Sequence, residues 1–72
     1  MIQPHRSQHM PFVRIDLFSG RTEEQKANTA RAITEALVQH AGCTPDSVQI
    51  LFADVEKSDW ATAGVLASRR GQ

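Results

Sequence analysis

Apolar and polar residues alternate along two short stretches of the chain. In FVRIDLF, which begins at Phe12, the aliphatic residues Val13, Ile15 and Leu17 alternate with charged residues. In VQILFADV, which begins at Val48, successive residues again divide into two faces. A period of two is typical of a strand with one more deeply buried face. The pattern therefore predicts a β-strand in each stretch.

The segment between these strands has the period of an α-helix. Over roughly residues 23–41, apolar side chains recur three or four positions apart, at Ala27, Ala30, Ile33, Leu37 and Ala41. The preceding TEEQ matches a capping box, in which Thr22 caps the first turn and Gln25 reaches back to it. Gly42 is a typical residue just past a helix end.

A strand, a helix and a second strand form a βαβ unit of the α/β class, and its two strands are expected to be parallel. The following KSDWATAGVLAS is rich in small residues, which favours a loop and a short C-terminal hairpin. Two parallel strands and one helix do not close a core, because a parallel sheet is normally covered on both faces. We therefore expect the chain to associate with copies of itself.

The composition argues against several classes of protein. A chain of 72 residues is one small domain, of a size at which a single core is marginally stable. Its single cysteine excludes an intramolecular disulfide. Basic and acidic residues number 8 each, so the basic excess expected of a nucleic-acid-binding protein is absent. The sequence contains no apolar run long enough for a membrane span or a signal peptide, which favours a cytoplasmic protein.

Residues 1–10 are polar and have no period, and we interpret them as an N-terminal extension, a mis-assigned start or a cloning remnant ahead of a domain at residues 11–72. The chemistry of Pro11 depends on this interpretation. If Met10 is the true start and is removed, Pro11 becomes a secondary amine at the N-terminus. If Met10 is internal, the nitrogen of Pro11 is an amide that does not take up a proton near neutral pH.

From Pro11 to about Ser68 the chain resembles the 4-oxalocrotonate tautomerase group of the tautomerase superfamily. The resemblance rests on a proline opening the first strand, on GRT-EQK after that strand and on ADV-K-DWA-AG near the end. It implies subunits that pair into a four-stranded sheet and assemble into a homohexamer, a trimer of dimers. It also implies an isomerase that moves a proton in small enols, 2-hydroxydienoates or 2-keto acids, without a metal or an organic cofactor.

The resemblance also assigns roles to four residues. Pro11 takes the place of the catalytic base, Arg21 matches a catalytic arginine that binds substrate, and Trp60 matches an aromatic wall of the pocket. Gln49 stands where the best-studied members carry a second arginine, and it offers a hydrogen bond but no charge. This departure disfavours a dicarboxylate such as 2-hydroxymuconate as the substrate.

A free Pro11 would suit the role of a base. The pKa of an α-amino group is ordinarily roughly 7.7–8.0, and burial or a nearby cation such as Arg21 lowers that pKa toward the neutral range in which a general base works best.

Other interpretations remain open on the sequence alone. Pro11 could be an ordinary proline at a strand edge, Arg21 a solvated loop residue, Trp60 a filler of the core or an interface, and Gln49 a polar strand residue. The function could instead be that of a dehalogenase-type or hydratase-type relative on the same fold. A third alternative is a non-catalytic or blocked subunit, because ten residues precede Pro11 and the second arginine is missing.

Overall fold

The computed structural model describes residues 11–70. The elements follow in the order β1 (Phe12–Phe18), α1 (Glu23–Ala41), β2 (Gln49–Val55), β3 (Ala61–Thr62) and β4 (Val65–Leu66). Single 3₁₀ turns lie at Pro45–Ser47, Lys57–Asp59 and Ala67–Arg69. The interpretation of residues 1–10 as a tail, including the question of Met10, lies outside the described residues.

Strands β1 and β2 pair in parallel, from Phe12 opposite Gln49 to Phe18 opposite Val55. This pairing confirms the predicted βαβ unit of the α/β class. Strand β2 begins one residue later than the alternating stretch, because the main-chain N–H of Val48 still donates to the carbonyl of Pro45 in the preceding 3₁₀ turn, at 3.3 Å.

Helix α1 has the ends that the sequence predicts. The main-chain nitrogen of Gln25 donates to Thr22 Oγ1 at 3.0 Å, and the nitrogen of Thr22 donates to Gln25 Oε1 at 2.9 Å, so the capping box is complete. Gly42 ends the helix in the left-handed conformation, with a φ of 75°, and Cys43 N donates to the carbonyl of Leu37 at 3.3 Å. No helix among residues 11–70 has the length and apolarity needed to cross a membrane.

Strands β3 and β4 form the predicted C-terminal hairpin. They pair antiparallel, with Thr62 opposite Val65, and the two residues between them, Ala63 and Gly64, have φ values of 54° and 81°. Positive φ at both central positions is the geometry of a type I′ turn, whose twist matches that of a two-residue hairpin. The hairpin is therefore fixed by a short local turn.

The two faces of the β1–β2 sheet differ in how far their side chains are buried. On the helix side, aliphatic residues such as Val13 and Ile50 are half-buried, and Lys26 Nζ of α1 lies 3.0 Å from Asp54 Oδ2 of β2. On the other face, Phe12 is 58% exposed and Leu51 is 44% exposed. Within residues 11–70, the only buried residue is Cys43. One described chain thus has almost no core of its own.

Candidate active site

Pro11 and Gln49 are neighbours at the start of the parallel sheet. The main-chain nitrogen of Gln49 donates to the carbonyl oxygen of Pro11 at 3.0 Å, and Gln49 is the register partner of Phe12. Register partners in a sheet project to the same face, so the exposed Gln49 side chain shares the uncovered face with Phe12. This amino end of the sheet therefore carries a proline and a residue with a neutral hydrogen-bonding side chain on neighbouring strands.

Arg21 and Trp60 come together at the opposite end of the sheet. They line one cavity of about 240 Å³, which we call the Arg21 cavity, together with Asp16, Leu17 and Phe18. The rings of Phe18 and Trp60 meet edge to face, with their centroids 5.3 Å apart. Trp60 remains 38% exposed, so one part of its ring packs on Phe18 while another part is available as a wall.

Main-chain and side-chain bonds hold the segments that carry Arg21 and Trp60. Ser19 N donates to the carbonyl of Val55 at 3.0 Å, and Ser19 Oγ donates to Glu56 Oε2 at 2.9 Å. The chain then turns at Gly20, whose φ of 129° is one that residues with a Cβ rarely adopt. These contacts join the loop after β1 to the segment that leads into Trp60.

The Pro11 end and the Arg21 end do not meet within one chain. They are separated by the seven residues of β1, which at about 3.3 Å per residue span roughly 23 Å. The structure thus brings Pro11 to Gln49 and Arg21 to Trp60, but it keeps the two pairs apart. A pocket that holds all four residues requires a second chain.

Two cations beside Trp60 were not predicted from the sequence. Lys57 and Arg70 line a second cavity, of about 570 Å³, which also contains Phe18, Trp60, Thr62 and Ala67 in its wall. The spacing KSDW offered a signal for Lys57, since residues three apart lie on the same side of a 3₁₀ turn. Arg70 directly follows the last 3₁₀ turn and carries no comparable signal.

Each end offers a different chemistry. An arginine guanidinium binds carboxylates in a two-pronged, charge-assisted geometry, and an aromatic wall beside it excludes water and strengthens that interaction. The amide of Gln49 donates a hydrogen bond without adding charge. The described residues therefore supply the groups needed to hold a small organic acid, and a proline at the other end of the strand.

Comparison with known proteins tests the resemblance to the 4-oxalocrotonate tautomerase group. The family model described as "Tautomerase enzyme" matches residues 11–70. The 2-hydroxymuconate tautomerase of Comamonas testosteroni is 40% identical over 63 residues, which cover 88% of this chain and 100% of that protein.

Solved structures agree with the sequence matches. One from a study of the 4-oxalocrotonate tautomerase isozymes of Methylibium petroleiphilum superposes with a TM-score of 0.78 at 37% identity, covering 86% of this chain and 100% of that one. A heterohexamer 4-oxalocrotonate tautomerase of Chloroflexus aurantiacus superposes with a TM-score of 0.78 at 28% identity, covering 85% and 98%. The predicted family and fold are confirmed: the chain belongs to the 4-oxalocrotonate tautomerase group of the tautomerase family of enzymes.

Proposed function

We propose that this tautomerase moves a proton between oxygen and carbon in a small enol, 2-hydroxydienoate or 2-keto acid, with Pro11 as the base. The observation that carries the proposal is the position of Pro11, which lies immediately before β1 at the first residue of the family match. With a free secondary amine, Pro11 takes the hydroxyl proton of the enol and returns it to carbon. The electron pair of the O–H bond becomes the second bond of the carbonyl, and the electron pair of the carbon–carbon double bond forms the new C–H bond with the proton from Pro11.

The other three residues hold the substrate in this scheme. Arg21 binds a carboxylate, and the ring of Trp60 shields it from water, in keeping with the cavity they share. Gln49 lies beside Pro11 and donates a hydrogen bond to the oxygen that gains charge during proton transfer. The amide offers less stabilisation than a cation would, since charge-assisted hydrogen bonds are roughly twice as strong as neutral ones.

The active site in this proposal forms between subunits of a homohexamer. Two observations support that assembly. The proline end and the arginine end of one chain are separated by the length of β1, and Phe12 and Leu51 leave an apolar sheet face exposed. Pairing two such sheets edge to edge, and burying their open faces against other pairs, supplies the core that one chain lacks.

The proposal takes residues 11–72 as the tautomerase domain and residues 1–10 as an extension of it, in a cytoplasmic enzyme. A test that is independent of the extension uses a chain that starts at Pro11, with 2-hydroxymuconate and phenylenolpyruvate as substrates. The Pro11→Ala variant of this form should be slower by orders of magnitude. Pro45→Ala is the matched control, because Pro45 lies in the 3₁₀ turn before β2. Equal rates for the Pro11 variant and the unmodified form would refute the role of Pro11.

A further inference from the structure

The cavity that contains Lys57 and Arg70, the Lys57–Arg70 cavity, adjoins the Arg21 cavity. Phe18 and Trp60 line both, so the edge-to-face aromatic pair forms a wall common to the two spaces. An elongated ligand that lies along this pair can therefore reach Arg21 at one end and the second cavity at the other.

The two cavities differ in charge. The described lining of the Lys57–Arg70 cavity includes two cations and no carboxylate. The Arg21 cavity contains one cation and one carboxylate, Asp16, and Asp16 forms an ion pair with Arg14 at 3.1 Å. The second cavity is thus the more positive of the two, which favours an anionic group there.

Both cations have positions set by neighbours. Lys57 Nζ lies 5.7 Å from the centroid of the Phe18 ring, within the range of a cation–π interaction. Arg70 Nη1 donates to the carbonyl oxygen of Thr62 in the hairpin at 3.1 Å. An ammonium and a guanidinium that are oriented before a ligand arrives lose less side-chain entropy when it binds.

From this geometry we infer that Lys57 and Arg70 form a second carboxylate subsite, so that the enzyme accepts dicarboxylates although Gln49 brings no charge. The inference rests on the proposed function, in which Arg21 holds the first carboxylate. The second carboxylate of an elongated substrate then enters the Lys57–Arg70 cavity, and its unsaturated carbon chain lies against Phe18 and Trp60. Substrate charge is recognised at the Arg21 end of the chain rather than at the Gln49 position.

Binding can be measured directly, because Trp60 is the only tryptophan and the sequence contains no tyrosine. Its fluorescence therefore reports ligands at this wall. The probes are muconate and sorbate, which differ only in that a methyl group of sorbate replaces one carboxylate of muconate. The titrations use two forms of the protein, the full chain and the form that starts at Pro11. In each form, the variants Lys57→Gln and Arg70→Gln are compared with the unmodified sequence and with the control Arg31→Gln. Arg31 lies on α1 away from both cavities, and its variant changes the net charge by the same amount.

We expect each of the two cavity variants to weaken muconate binding roughly tenfold, the effect of losing one charge-assisted hydrogen bond, and to leave sorbate binding unchanged. Arg31→Gln should change neither. Equal losses for both probes, equal losses in the control, or no muconate binding in either form would overturn the inference. The proposed function is tested separately by the rate of Pro11→Ala. If Pro11→Ala is slow but Lys57→Gln binds muconate as tightly as the unmodified protein, the second subsite is refuted and the proposed function stands.

Discussion

Gln49 is held beside Pro11 by the first rung of the parallel sheet, in which its main-chain nitrogen donates to the Pro11 carbonyl at 3.0 Å. The sheet therefore places position 49 on the strand next to the residue proposed as the base. In the proposed mechanism, the group at position 49 acts on the part of the substrate that Pro11 deprotonates. Position 49 is thus a sensitive place at which to test the chemistry.

Replacing Gln49 by arginine should raise kcat/KM for 2-hydroxymuconate in the form that starts at Pro11. The gain is expected to be roughly 2–30-fold, because a hydrogen bond from a charged group contributes about 1.5–3 kcal/mol where a neutral one contributes about 1 kcal/mol. Gln49→Met, similar in size but without a hydrogen-bond donor, should be slower than the unmodified enzyme. If the methionine and arginine variants both match the original, position 49 does not contact the substrate.

Arg21→Gln should change both the affinity and the pH profile of the form that starts at Pro11. Loss of the carboxylate contact should raise KM about tenfold. In the proposed mechanism Pro11 acts as a base, so kcat/KM should fall as the pH drops below its pKa, and an Arg21 supplied by another subunit should lower that pKa. Removing the cation raises the pKa of Pro11, and the acid limb of the profile should move to higher pH. Arg31→Gln serves as the control. An unshifted limb in Arg21→Gln would place Arg21 away from the base.

The exposed sheet face leads to a prediction about assembly. Leu51→Glu places a charge on the face that Phe12 and Leu51 leave uncovered, where burial would cost several kcal/mol. Ala32→Glu adds the same charge to an exposed position of α1. Sedimentation should show a hexamer of the 8.0 kDa chain for the original and for the Ala32 variant, and smaller species for the Leu51 variant. A folded monomer of the unmodified chain at micromolar concentration would contradict the assembly.

Thr22→Ala should lower stability, because it removes one half of the capping box and leaves the N–H of Gln25 without its side-chain acceptor. The expected loss is about 1 kcal/mol per chain, measured by urea unfolding at fixed protein concentration. Thr29→Ala is the control, since Thr29 Oγ1 only returns a bond to the carbonyl of Gln25 within the same helix, an interaction that contributes little. Equal losses in the two variants would mean that the cap does not limit stability.

Local signals in the sequence predicted most of the fold. Alternation identified both strands, and Thr22, Gln25 and Gly42 identified the ends of the helix, because caps and turns are fixed by a few neighbouring residues. The contact between Pro11 and Gln49 was not predicted, although parallel pairing explains it, since such pairing brings the start of one strand to the start of the next.

The surroundings of Trp60 were harder to predict. Its packing on Phe18 joins residues far apart in the chain, and the cations Lys57 and Arg70 lie outside the regular strands and helix, where no period marks the direction of a side chain. Their arrangement depends on how the hairpin folds back toward the end of β1. How separate chains bring the Pro11 end to the Arg21 end depends on interfaces that a single sequence pattern does not encode.

The state of the Pro11 nitrogen gives the most decisive prediction. In the full chain this nitrogen forms an amide with the carbonyl of Met10. It shares its electron pair with that carbonyl and accepts no proton near neutral pH. As the first residue, it is a secondary amine that does. We therefore expect the chain with residues 1–10 attached to be nearly inactive on phenylenolpyruvate, and cleavage before Pro11 to raise the rate by orders of magnitude.

A third form separates this chemistry from simple obstruction of the pocket. Cleavage before Met10 leaves one residue ahead of Pro11, which removes nearly all the bulk of the extension but keeps the nitrogen an amide. If the amide is what blocks catalysis, this form should be as slow as the full chain, whereas an extension that only fills the pocket would leave it nearly as fast as the form that starts at Pro11. Intact mass spectrometry before each assay verifies the first residue. Equal turnover by the full chain and the form that starts at Pro11 would show that Pro11 is not the base.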